Sequence, residues 1–241
     1  MLAPFQWIGA AVLGVLRETG RLASFSGAAI WAAVTPPLYI GQVARQMVRI
    51  GFYSLPVVGL SAVFIGAALA LNIYTGGARF NAEQFVPQIV VLGITRELGA
   101  AITGLMLAGR VSAGIAAEVG AMRVTEQIDA LKTLSADPYR FLYGPRVLAG
   151  VLSLPILVAL ADTIGVMGGW LVGVYSLGFD STVYLRNTVQ FAEAQDIAAG
   201  LIKAAVFGAI ITLMGCYHGG RSKAGATGVG RAATLSMVGA A

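Results

Sequence analysis

Arg96 and Glu97 stand side by side inside an otherwise apolar run of the 241-residue chain. Counted along a helix at about 1.5 Å per residue, they sit roughly 12–15 Å from its start, near the middle of a bilayer. Ionisable groups at that depth are costly and face a partner or a cavity. Consecutive helical residues point about 100° apart, so these two cannot simply neutralise each other. Both border a ridge of small residues, Ala100, Gly104, Ala108, Ser112, Ala116 and Gly120. Their partners must come from another helix, another subunit, water or a bound polar headgroup. Asp162 and Lys203, each inside its own apolar run, are the candidates for an interhelical ion pair.

Other chemistry finds little support. The chain has no G-x-x-x-x-G-K-[ST] to cradle a nucleotide and no G-x-S-x-G elbow. Its one histidine, His218, rules out a His-based metal cluster. Cys216 is its one cysteine, so no internal disulfide forms, and its apolar neighbours fit a packed thiol. The run Gly219 to Arg231 is rich in glycine but follows no strand, and reads as a basic, flexible connector.

The elements around these residues are membrane elements. With 57% hydrophobic and 11% charged residues, the composition is that of an integral membrane protein. Long Ala, Leu, Gly and Val runs without ten-residue alternation exclude a barrel and leave an all-α, polytopic fold. Residues 4–35, interrupted by Arg17, Glu18 and Arg21 and bracketed by Trp7 and Trp31, read as an interfacial helix closed by Pro36-Pro37. Four complete spans follow at 50–74, 88–109, 147–177 and 197–217. A further apolar stretch begins at 232 and stops at 241, read either as a fifth span cut short or as a tail lying in the interface. Pro56 is a candidate kink in the first span. Ridges of small residues, Ala62-Gly66-Ala70, Gly165-Gly169-Gly173 and Gly200-Ala204-Gly208, mark helix contacts and are compatible with a homodimer.

Lysine and arginine fall almost wholly on one side of these spans. Only Arg79 and Arg186 lie on the other, which makes the crowded side cytoplasmic. On that side lies the region 118–134. Within it Arg123 to Leu134 reads as one short amphipathic helix, with Val124, Ile128 and Leu131 on one face and Glu126, Asp129 and Lys132 on the other. Such a segment either rests on the membrane surface or couples the spans to a soluble partner.

The stretches VFIGAALAL (63–71), RELG (96–99), AGRVSAGIAAEVGAMRVTEQIDAL (108–131), DPYR (137–140), PRVLAGVLSLP (145–155) and GGWLVGV (168–174) resemble the MlaE-type permease family. These are membrane subunits of lipid-transporting ABC systems, and the similarity covers nearly the whole chain. The resemblance implies a homodimer in the bacterial inner membrane with a cytoplasmic N-terminus and no catalysis in this chain. ATP and Mg2+ would act in a partner ABC ATPase. A small STAS-domain protein and a periplasmic MCE-domain lipid-binding protein would complete an assembly that moves phospholipids between inner and outer membranes and maintains outer-membrane lipid asymmetry. By position, it implies a lipid cavity at Arg96, Glu97, Phe80, Tyr74 and Leu71, and ATPase coupling through Glu118, Arg123, Thr125, Glu126, Gln127 and Asp129. A secondary transporter would show an inverted repeat with paired broken helices, and none is evident. A non-transporting scaffold would not need charges at mid-membrane.

Overall fold

Small residues at four-residue intervals decide how the apolar helices of this chain meet. The structure is a computed structural model describing residues 3–77, 85–223 and 225–241, with side chains from Val12 onward. Helix α1 spans Ala3–Val34, and α2 (Ile40–Ile50) runs through a single 3-10 turn at Phe52–Ser54 into α3 (Leu55–Gly77). Next come α4 (Val86–Gly93), α5 (Gly99–Leu107) and α6 (Ala113–Val124), joined by two wide π-turns at Ile94–Leu98 and Ala108–Ser112. The short α7 (Gln127–Thr133) precedes a third π-turn, Tyr139–Tyr143, which opens α8 (Gly144–Tyr175). Helices α9 (Ser181–Phe191), α10 (Ala194–Gly220) and α11 (Ala226–Ala240) complete the chain, with no strand among the described residues.

Four continuous rods result, Ile40–Gly77, Val86–Val124, Tyr139–Tyr175 and Ala194–Gly220, each long and apolar enough to cross a membrane. The protein is therefore a multi-pass membrane protein. The 39-residue second rod is about 58 Å long, roughly twice the hydrocarbon thickness, so its arginine-bearing end projects beyond it. The rods outrun the apolar runs that announce them because backbone hydrogen bonding continues where hydropathy stops. Pro56 lies in the opening turn of α3, directly after the 3-10 turn Phe52–Ser54 that interrupts α-helical winding in the first rod.

The ridges named from spacing are the contacts. Ala62, Gly66 and Ala70 of α3 are buried against α8, where a Cβ on Gly66 would come within 1.8 Å of the Gly165 carbonyl oxygen. Gly208 of α10 and Gly150 of α8 also approach closely, each Cβ meeting the other's carbonyl oxygen at 2.4 and 2.8 Å. Helix α11 lies on α6 and α10, with a hydroxyl–hydroxyl hydrogen bond between buried Ser236 and Ser112. The glycine-rich stretch is not a long flexible connector. Helix α10 continues through Gly220 and α11 begins at Ala226; Gly219 lies bare against Val119 and Ala116 of α6, and Gly120 of α6 lies bare against Ser222 and Val229. Phe25 joins α1 to the bundle by edge contacts with Tyr143 and Tyr217, at ring-centroid distances of 5.2 and 5.5 Å. Trp31 is exposed, as an interfacial anchor requires, and the Trp7 side chain lies outside the described residues.

Candidate functional site

The π-turn Ile94–Leu98 carries both mid-span charges, and its wider winding brings the Gly99 N–H to the Ile94 carbonyl, five residues back. Helix α10 passes close to this turn because Gly200 is bare: a Cβ there would lie 2.4 Å from the Thr95 carbonyl oxygen. The approach puts Lys203 over the turn. Its Nζ donates to Glu97 Oε1 at 2.8 Å and to the Arg96 carbonyl at 3.0 Å. Arg96 Nε lies 3.9 Å from Asp196 Oδ1, near the start of α10. Two acids and two bases thus alternate across α10 and the turn. Of the two partners expected for the mid-span charges, Lys203 is the one used. Asp162 instead packs against Gly99, with its Oδ1 buried and unpartnered. Asp196 escaped the sequence reading, although it stands seven residues before Lys203 and so shares its helical face.

The tetrad is not sealed in the bundle: the side chains of Arg96 and Glu97 keep 64% and 65% of their surface exposed. At hydrocarbon depth such charges cannot face acyl chains alone. This face of the chain therefore opens on water, a polar headgroup or another protein surface. Of the other residues expected at a lipid cavity, Leu71 is exposed on α3. Tyr74 meets Phe179 edge-on at 5.9 Å and packs against the small core of Ala70, Val86, Val90 and Ile94, next to the π-turn. Phe80 lies outside the described residues.

At the other end of the second rod the expected single amphipathic helix is two helices. The Thr125 hydroxyl bonds back to the Ala121 carbonyl at 2.8 Å, and Glu126 takes a left-handed conformation at φ 59°. This ends α6 and turns the chain into α7. Val124 and Ile128 therefore lie on different helices, and only Ile128 is buried. Arg123 grips both oxygens of Asp129 across the break at 2.9 and 2.8 Å, and Lys132 adds a bond at 3.0 Å. Thr125, Glu126 and Gln127 form an exposed corner. Glu118 is apart from it, turned onto Arg49 of α2 at 2.5 Å and Arg146 of α8 at 2.9 Å.

The Lys132 hydrogen bond, aided by Arg123, holds the Asp129 carboxyl below the usual carboxylate range. A depressed carboxyl stabilises the fold above its unfolded value and loses that contribution as pH falls through its folded value. The corner is thus expected to keep its α7 amide protection at pH 5 and to lose it only below the ordinary carboxylate range. Hydrogen exchange across 123–133 as a function of pH checks this. Because Glu126 sits in the left-handed region, Glu126→Gly is expected to leave stability equal or raised by up to about 1 kcal/mol, whereas Glu126→Val lowers it. Thermal unfolding of the two variants distinguishes them.

Four rods long and apolar enough to cross a membrane, a charged tetrad shared by two of them and a polar corner at the end of the second define a multi-pass membrane protein. The signature described as Permease MlaE matches residues 43–241. A probable ABC transporter permease protein of Rickettsia bellii is 52% identical over 96% of this chain and 89% of its own length. The intermembrane phospholipid transport system permease protein MlaE of Haemophilus influenzae is 34% identical over the same shares of each chain. A probable ABC transporter permease protein of Synechocystis is 36% identical over 80% of this chain and 74% of its own. The chain belongs to the MlaE permease family.

Proposed function

We propose that this chain is the permease subunit of an ABC transporter that moves phospholipids between the inner and outer membranes and so maintains outer-membrane lipid asymmetry. The observation that carries the reading is the charged tetrad of Arg96, Asp196, Glu97 and Lys203, with Arg96 and Glu97 held exposed within an apolar span. A scaffold has no use for charges held open there, whereas a zwitterionic headgroup needs acid and base within one patch. A second copy of the chain closes the cavity that this patch faces. The arginine-rich end lies in the cytoplasm of a bacterial cell with α1 on the inner leaflet, in keeping with the lysine and arginine asymmetry.

ATP and Mg2+ belong to a separate ATPase, which docks on the corner formed by Arg123, Thr125, Glu126, Gln127 and Asp129. A small STAS-domain protein stands beside that ATPase, and an MCE-domain protein receives or delivers lipid on the periplasmic side. Nucleotide binding drives transport by favouring one of two bundle shapes, with no chemistry in this chain. Glu126→Lys combined with Asp129→Lys is expected to abolish lipid-stimulated ATP hydrolysis while the permease still inserts and folds. Measuring turnover and subunit co-purification in parallel tests this, and unchanged stimulated turnover would overturn the docking assignment.

A further inference from the structure

Glu118 is the one carboxylate in a nest of arginines. It holds Arg49 and Arg146, leaving Arg110 to bond the Ser54 hydroxyl at 2.6 Å and Arg45 to bond the Gly41 carbonyl at 3.3 Å. Two clefts meet here. One, of about 250 Å³, lies between Gln46, Arg49, Arg110 and Glu118. The other, of about 670 Å³, shares Gln46, Arg49 and Glu118 and adds Arg45, Tyr53 and Arg146. Four guanidinium groups thus face one carboxylate, a surplus of three positive charges. Arg146 is 95% buried by its side chain, with its Nε unpartnered. Guanidinium forks match phosphate oxygens in geometry as well as charge.

What adjoins the clefts separates a lipid from a soluble anion. Tyr53, Val57, Leu60 and Phe64 recur at helical spacing on one face, and all are exposed. They form an apolar stripe that starts at Tyr53 in the cleft wall and runs along the first rod into hydrocarbon depth. A headgroup in the arginine nest would lay its acyl chains on this stripe. We infer that the arginine-rich end of the bundle holds an anionic phospholipid, its phosphate between Arg45, Arg49 and Arg110 and its acyl chains along Tyr53 to Phe64. The site is separate from the Arg96 tetrad, and it stands whether or not that tetrad carries lipid.

The test uses the full chain in nanodiscs of phosphatidylcholine with or without phosphatidylglycerol or cardiolipin. With Trp7, Trp31 and Trp170 replaced by phenylalanine, a Tyr53→Trp variant reports occupancy through quenching by brominated lipid. Brominated anionic lipid at low mole fraction is expected to quench about tenfold more effectively than brominated phosphatidylcholine. Arg45→Gln with Arg110→Gln, which spares the Glu118 pairs, is expected to erase that preference with little change in Tm. Native mass spectrometry should then find anionic lipid retained by the unsubstituted chain and lost from the double variant. Equal quenching by both lipid classes overturns the inference. So does displacement of the lipid by millimolar inorganic phosphate, which would make the nest a site for a free anion. Should the double variant fail to fold, the quenching ratio in the otherwise unaltered nest still decides.

Discussion

Lys203→Glu is expected to lower lipid transfer by about tenfold or more and to reduce Tm, because it removes the partner of Glu97 and sets two carboxylates together at membrane depth. It also strips the Arg96 carbonyl of the donor that holds α10 to the π-turn. The reciprocal exchange, Glu97→Lys with Lys203→Glu, rebuilds an ion pair of the same composition and should restore Tm. Transfer should recover only in part. The exchanged lysine would stand beside Arg96 with no acid between them, so the alternation of charge offered to a headgroup is lost even though the helices are tied. Transfer of labelled phospholipid from proteoliposomes containing the complete transporter, measured with thermal unfolding, separates the two effects. Unchanged transfer in Lys203→Glu would remove the tetrad from the transport path. Full recovery in the exchange would reduce the pair to a structural tie.

That tetrad marks how far the sequence could be read. Hydropathy alone locates the rods, since length and apolarity are properties of the chain itself. Four-residue spacing of small side chains locates the contacts, since nothing else lets helix backbones approach. The demand that Arg96 and Glu97 find partners is likewise local, and Lys203 is one of few ions able to meet it. The π-turns are different. An extra residue per turn leaves no mark on composition, and the Ile94–Leu98 turn shows itself only in the fold, where the Thr95 carbonyl lies against bare Gly200 of α10. The partners of Glu118 are hidden for a similar reason. It sits in a stretch that reads as a docking segment, but its partners Arg49 and Arg146 lie 69 and 28 residues away. The break at Thr125–Glu126 is hidden because an amphipathic pattern survives a left-handed residue that re-aims it. The run that starts at Gly219 reads as slack, yet α10 continues through Gly220, and Gly219 lies bare against Val119 and Ala116 of α6.

Close approach also sets the second large effect. Gly59 and Gly66 both lie on α3, and both have α8 as neighbour. A Cβ at Gly59 would meet Ile164 Cδ1 at 3.5 Å, an ordinary contact with the end of a flexible side chain. At Gly66 it would lie 1.8 Å from the Gly165 carbonyl oxygen and 3.1 Å from the Gly169 nitrogen, both backbone atoms that cannot swing aside. A single methyl group therefore forces the two rods apart. The displacement would be felt at Gly168 as well, which sits against the Val63 backbone one turn away. Van der Waals packing is what holds helices together in lipid, where no hydrophobic drive exists between them. Gly66→Ala is accordingly expected to cost more than the about 1–3 kcal/mol typical of overpacking and to deplete folded protein at 37 °C. Gly59→Ala should leave Tm unchanged or raise it slightly, since alanine favours the helix by about 1 kcal/mol over glycine. Yield and Tm of the two variants in the same nanodisc form the comparison. Equal stability would mean that α3 and α8 do not depend on backbone contact. A loss confined to Gly66→Ala would make this pair of rods the rigid frame against which the charged π-turn is positioned.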